Sequence, residues 1–279
     1  MLKSFLVFIA FLVAYPHAIA QPEDRDIFNR FIRFAQEKQL ATLPHAQRVG
    51  LIGQFFLGTP YQGGTLDQNE EESLVINLRA LDCVTFVDNV LALTLIEKYD
   101  ESAWNRFQAN LVRVRYRHGK IQDYTSRLHY STDWLHEMCR IGILRDITPD
   151  LQGSPFPNKV NLITATAHKR AVFKRDSSLV NKMRIIEDSI NNRKRTYIPR
   201  EEITEETCAH IQDGDILLFT THVKGLDTAH VGIAIKRDNT IHVLHASSGG
   251  KRVMISAETL PEYLGKITSH SGIIIARVN

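Results

Sequence analysis

Ala229-His230-Val231-Gly232-Ile233-Ala234-Ile235 is followed, across Asp238-Asn239, by Thr240-Ile241-His242-Val243-Leu244-His245. The first segment alternates with period two, so His230, Gly232 and Ala234 share one face and Val231, Ile233 and Ile235 the other. Asp238-Asn239 supplies hairpin-turn chemistry, which makes the two segments antiparallel neighbours. Asp215–Thr220, Arg252–Ile255 and Gly272–Val278 are equally short and β-branched, and Gly249-Gly250 offers a second turn. Upstream the period changes. Asp26–Leu40 carries Ile27, Phe31, Phe34 and Ala35 on one side. Helical spacing recurs from Pro44 toward Leu57, over Asp82–Leu93, Ala103–Val114 and Asp133–Cys139, and through Leu179, Met183, Ile186 and Ile190. Gly58–Gly64 and Gly153–Pro157 read as loops, and Asn191–Arg195 as a solvated connection. Helices first and an antiparallel sheet after them is the α+β pattern.

The first residues read as an export signal. Lys3 is the positive end, Phe5 to Tyr15 the apolar run, and Ala18-Ile19-Ala20 the small-residue cleavage site. The run is short of the ~20 residues that span a bilayer; a retained anchor is the alternative. The expected division is a signal peptide over 1–20 and a single catalytic domain over 21–279, periplasmic or secreted, without stable membrane insertion. The content of 43% hydrophobic and 23% charged residues is that of a globular chain. A net charge of +3 lacks the concentrated basic face that nucleic acid requires. No oligomeric state can be read from the sequence.

Three cysteines in an exported chain leave at least one unpaired within the molecule. Cys139 and Cys208 are candidates for a disulfide, with Cys83 free. Cys83 falls in the first turn of its helix, where unpaired N–H groups and the helix dipole favour a thiolate, and Asp82 fits the N-cap. A buried cysteine serving as a small hydrophobe is the alternative. His230 sits among small residues that leave room for another element, such as the Cys83 helix, and a hairpin partner brings His245 beside it. Such an order matches a nucleophile, a base and a group that orients the base. His222 and His242 are the nearest decoys among 12 histidines.

Four local patterns, in order, make the chain resemble the NlpC-type, papain-like cysteine peptidases: Gly58-Thr59-Pro60-Tyr61 with Gly63-Gly64, Asp82-Cys83, Gly214-Asp215-Ile216-Leu217, and His230-Val231-Gly232-Ile233 with His245-Ala246-Ser247. The resemblance implies a papain-like core of about 41–100 and 205–279, with a helical and loop insertion over about 101–204. It also implies Cys83 as nucleophile, His230 as base, His245 as third polar residue, and Tyr61 near the oxyanion. The common Asp-Cys-Ser-Gly is here Asp82-Cys83-Val84-Thr85, which removes part of the amine site of the stem-peptide endopeptidases. Leu81–Val87 and Ser126-Arg127-Leu128-His129-Tyr130 are similar instead to an N-acetylmuramoyl-L-alanine amidase-like branch. That branch cuts between muramic acid and L-alanine, with a preference for anhydro-muramoyl peptides. Arg127, His129 and Tyr130 then fit a sugar or carboxylate site. The expected partner is peptidoglycan or a muropeptide, and no cofactor is expected.

Four alternatives stay open. One is a stem-peptide endopeptidase of the same superfamily. Another is a zinc amidase using His129, Asp133, His136 and Glu137, although His136-Glu137 lacks the second histidine of a His-Glu-x-x-His helix. The others are a non-catalytic muropeptide-binding module and an acyltransferase.

Overall fold

The computed structural model describes residues 18–279; the apolar run from Phe5 to Tyr15 lies outside them. Ten α-helices are described: α1 Pro22–Glu37, α2 His45–Phe55, α3 Cys83–Thr94, α4 Ala103–Arg115, α5 Ser131–Arg140, α6 Leu162–Ala165, α7 Ala171–Arg175, α8 Ser178–Asn191, α9 Glu205–Ala209 and α10 Leu260–Lys266. The strands are β1 Leu144–Asp146, β2 Ser154–Pro155, β3 Thr196–Pro199, β4 Ile216–Thr221, β5 Thr228–Arg237, β6 Thr240–Ser247, β7 Arg252–Thr259 and β8 His270–Val278. They form one sheet in the order β2-β3-β8-β4-β5-β6-β7, with β1 also on β8. Helices precede the principal antiparallel strands, in the α+β order. Among the described residues no helix is long and apolar enough to cross a membrane.

The middle of the chain does more than sequence periodicity suggests. Its three short strands extend the sheet: β1 and β3 share one edge of β8, through Leu144↔Val278 and Ile198↔Ile273. Ser154-Pro155, expected as loop, pairs with Thr196–Tyr197. The expectation of a solvated connection at Asn191–Arg195 is also corrected. Arg193 pairs with the buried carboxylate of Asp133 at 2.7 Å, and Arg195 donates to Asn158 O at 2.8 Å. Charges read as solvated from sequence are here spent on holding the middle segment to α5.

Helix α3 is the central helix, with every residue from Thr85 to Thr94 buried. With α2 it packs against the face of β5 that carries Val231, Ile233 and Ile235, and α4 packs on α3. The opposite face of the sheet, with Leu217, Phe219, Ala234, Val243, Ile273 and Ile275, is covered by Leu260 and Leu264 of α10. The sequence expectation that small residues beside His230 make room for the Cys83 helix is therefore corrected. Helix α3 lies on the other face, and Gly232 serves the hairpin itself. A Cβ at Gly232 would stand 2.8 Å from Val243 Cγ1 and 3.3 Å from His245 Cβ.

Candidate active site

The start of α3 is built by a capping box. Asp82 Oδ1 accepts from Thr85 N–H and from the Thr85 hydroxyl, both at 2.8 Å, and Thr85 Oγ1 accepts from Asp82 N–H at 2.9 Å. Thr85, one of the residues that depart from the common motif, thus closes the cap. The first turn of α3 is thereby pinned, and Cys83 opens it. The β5–β6 ladder ends at Ile233↔Leu244, which leaves Thr228–Gly232 without partners on β6. The Cys83 thiol lies against this free end, where the N–H of Val231, with those of Val84 and of Cys83 itself, favours the anion. Cys83 and His230 thus approach the end of the β5–β6 ladder from different faces of the sheet. No hydrogen bond joins the thiol to His230 among the described residues.

His230 Nε2 and His245 Nδ1 are 2.7 Å apart, with the rings edge to face. Three residues that the sequence reading did not single out enclose this pair. Phe219 stacks on His270 at 5.1 Å and lies 5.6 Å from His230. Tyr263 meets His245 edge-on at 5.4 Å. His270, 3% exposed, runs parallel to His230 at 6.3 Å, and its Nδ1 has no hydrogen-bond partner among the described residues. The available signal for His270 was its place beside the last strand segment; Tyr263 lies on a helix whose start is marked by Thr259-Leu260-Pro261-Glu262, a capping box with proline in the first turn.

Tyr61 is held from both sides. Its N–H donates to Lys251 O, and it bridges Leu81, the residue before the α3 cap. Burial raises its phenol above the ordinary value, with the nearby Cys83 and Asp82 adding to the shift. Tyr263 is raised by burial and, next, by Cys83. Both phenols lie near enough to the thiol to feel its charge.

The 127–130 segment divides. His129 is stacked on Tyr124 at 4.2 Å, bonds Tyr124 O through Nε2 at 2.7 Å, and lines a cavity with Val84. Arg127 is buried and paired with Asp67 and Glu72. Tyr130, 2% exposed, donates to Glu187 at 2.7 Å and accepts from Ile163 N–H at 3.0 Å. The last two are occupied within the protein. Of the zinc candidates, Asp133 is bound by Arg117 and Arg193 and Glu137 by Arg140. No group of three metal-ligating side chains converges among the described residues. His222 is exposed, and His242 bonds Thr240 and Ser256 O. The suggested Cys139–Cys208 pairing is absent: both are free, packed on different apolar clusters.

Burial pushes the Cys83 thiol up to about 12, helped by the charge of Asp82 and opposed by the three N–H groups. It pushes His230 down to about 3, and His245 and His270 to about 4. The sequence expectation of a lowered thiol is reversed because desolvation outweighs the helix N-terminus. These three histidines also set a pH dependence of stability. Their folded values lie below the ordinary 6.5, so between about pH 4 and 6.5 the unfolded chain binds the extra protons. Their contribution is complete above 6.5 and is lost as pH falls. From pH 7 to 5 the expected loss is up to about 2 kcal/mol for each. Urea unfolding of His270→Phe should show a fall in stability over that range about 2 kcal/mol smaller than in wild type. An unchanged fall would contradict the assignment.

A family described as AmiA-like, N-acetylmuramoyl-L-alanine amidase-like, matches residues 51–273. Among solved structures, an N-acetylmuramoyl-L-alanine amidase from Bacteroides uniformis is 36% identical, with a TM-score of 0.79, covering 84% of this chain and 99% of that one. A Bacteroides fragilis protein provisionally described as a xylanase is 34% identical, with a TM-score of 0.76 and coverage of 81% and 99%. A Legionella pneumophila protein shares the fold at 24% identity, with a TM-score of 0.70 and coverage of 93% and 97%. No curated protein matches the chain.

Proposed function

Since the chain belongs to the AmiA-like, N-acetylmuramoyl-L-alanine amidase-like family, we propose that it is an exported, periplasmic or secreted peptidoglycan amidase that uses Cys83 to cut the bond between N-acetylmuramic acid and L-alanine. Anhydro-muramoyl fragments are the favoured substrates in this reading, and the core is of the papain-like NlpC type. The supporting observation is the meeting of a capped helix N-terminus bearing Cys83 with the free end of β5, beside the 2.7 Å His230–His245 pair.

The free enzyme holds a thiol and a neutral imidazole, since burial opposes charge on both. With Nε2–H of His230 donated to His245, His230 Nδ1 carries the lone pair that takes the thiol proton. Sulfur then bonds to the lactyl carbonyl carbon. Cys83 N–H and the Tyr61 hydroxyl stabilise the oxyanion; such a donor is typically worth about 3–4 kcal/mol. The C–N bond breaks as His230 returns its proton to the alanine nitrogen. Water, deprotonated by His230, adds to the thioester carbon; the C–S bond breaks, the sulfur takes the proton back from His230, and the lactyl carboxylic acid leaves and ionises. Acid-quenched enzyme mixed with muropeptide should gain the mass of the glycosyl-lactyl group on Cys83. A substrate turned over with no such adduct, in an enzyme insensitive to thiol alkylation, would exclude this route.

The xylanase description of one relative suggests a glycosidase, which needs two carboxyl groups flanking the sugar bond. The carboxyls of α3 and its cap are committed elsewhere: Asp82 caps α3 and Asp88 pairs with Arg115 at 2.9 Å. The observations therefore favour acyl chemistry.

A further inference from the structure

Little in the sheet fixes the end of β5 that carries His230. Its pairing with β6 begins only at Ile233. On the β4 side the register passes from Phe219↔His230 to Thr220↔Thr228 and skips Ala229, a bulge of the kind that re-aims a neighbouring side chain. What holds this end lies outside the sheet. Asp227, 1% exposed, turns its carboxylate to the first turn of α5. Its Oδ2 accepts from Thr132 N–H at 2.7 Å and from the Thr132 hydroxyl at 2.8 Å, and its Oδ1 accepts from Thr228 N–H at 2.8 Å. The Ser131 and Thr228 hydroxyls meet alongside at 2.5 Å. Tyr130 stands at the N-cap of α5 and gives it no side-chain cap. The carboxylate from β5 takes that place, where unpaired N–H groups and the helix dipole favour an anion. Asp133, the next residue of the turn, is bound by Arg117 and Arg193, so the turn that receives Asp227 is itself anchored.

We infer that Asp227 is a positioning residue: by clamping the start of β5 to α5, it sets where His230 stands relative to Cys83. The inference rests on the reading of His230 as the base for Cys83 and says what holds that base in place. Asp227 and His230 lie on one short stretch of chain, and no β6 ladder absorbs a shift between them. An apolar contact would keep this stretch against α5 but let it slide. Three directed hydrogen bonds to one carboxylate fix it, and they also meet the cost of burying the charge. Arg195 Nη1 stands 3.4 Å from Thr132 Oγ1, which brings a positive charge behind the hydroxyl that holds Asp227. Misplacing a reacting group by ~1 Å can cost about 10²-fold in rate, so small slips of this strand matter.

The test follows iodoacetamide labelling of the Cys83 peptide at neutral pH, by mass spectrometry, in wild type, Asp227→Asn, Thr132→Val and Thr132→Ser, each with and without His230→Ala. Asp227→Asn keeps the shape but sets an N–H₂ among three donors. Thr132→Val removes only the hydroxyl and keeps the backbone bond, so it holds the fold even if Asp227→Asn does not; Thr132→Ser restores the hydroxyl. Labelling should slow about 10²-fold in Asp227→Asn and about tenfold in Thr132→Val, and stay within about twofold of wild type in Thr132→Ser. In the His230→Ala background the same changes should add nothing, because the base they position is gone. With a muramoyl-L-alanine peptide, kcat should fall by similar factors while KM stays within about twofold. Equal slowing with and without His230 overturns the inference, since it marks a general loss of structure. Unchanged labelling in folded Asp227→Asn and Thr132→Val overturns it as well. Labelling as expected, but with no muramoyl–alanine cleavage by wild type, supports the positioning role and removes the amidase reading. Labelling of wild type that ignores His230→Ala removes the base, and its positioning with it.

Discussion

Cys83→Ala should lower amide hydrolysis by about 10⁴- to 10⁶-fold, the scale seen when a nucleophile is removed from a catalytic unit. His230→Ala should fall nearly as far, because in the proposed mechanism nucleophile and base act as one unit and their losses do not add. Neither loss should come from misfolding. Cys83 and His230 are only partly buried, and the α3 cap is made by Asp82 and Thr85 rather than by the cysteine. Circular dichroism and thermal unfolding of Cys83→Ala should match wild type, while turnover of a muramoyl peptide disappears. Turnover within tenfold of wild type in a folded Cys83→Ala protein would contradict the assignment.

The largest expected loss of stability is at Asp88. It lies within the second turn of α3 and pairs with Arg115 of α4 at 2.9 Å, both side chains 3% exposed. Arg115 also donates to Val75 O at 2.7 Å, so this one guanidinium joins two helices and the strap that precedes α3. Burial raises the Asp88 carboxyl above its ordinary value against the pull of Arg115. Asp88→Ala leaves Arg115 buried without its counter-charge, and breaking such a pair costs about 3–5 kcal/mol. That is a large part of the 5–15 kcal/mol that ordinarily holds a domain. Denaturant unfolding should show it, and Asp88→Leu with Arg115→Met should recover part of the loss, since no buried charge is then left alone. A change under ~1 kcal/mol for Asp88→Ala would refute the structural role given to this pair.

The parts of the fold visible in the sequence were those with a long, regular period. Helix α3 and strands β5 and β6 were legible because burial on a fixed face imposes spacing over seven or more residues. Strands β1, β2 and β3 were not, since two to four residues carry no period. The pairing of Arg193 with Asp133 was hidden because a charge run reads alike whether solvated or paired. At the candidate site, Cys83, His230, His245 and Tyr61 were legible from local motifs. His270, Tyr263 and Phe219 were not, because their association depends on β8 and α10 returning across the sheet. The cysteine's environment was misjudged for a related reason. Helix position argues for a lowered thiol, whereas burial by distant elements sets the opposite direction. Arg127 and Tyr130 carried the right chemistry for ligand contact, yet Asp67, Glu72 and Glu187, all remote in sequence, occupy them.

The most direct measurement is mass spectrometry of the products formed from a purified anhydro-muropeptide by wild type and by Cys83→Ala. Wild type alone should release free anhydro-disaccharide bearing its lactyl carboxylate, together with an intact stem peptide beginning at L-alanine. Cleavage inside the stem, or the same two products from Cys83→Ala, would contradict the thiol-amidase assignment.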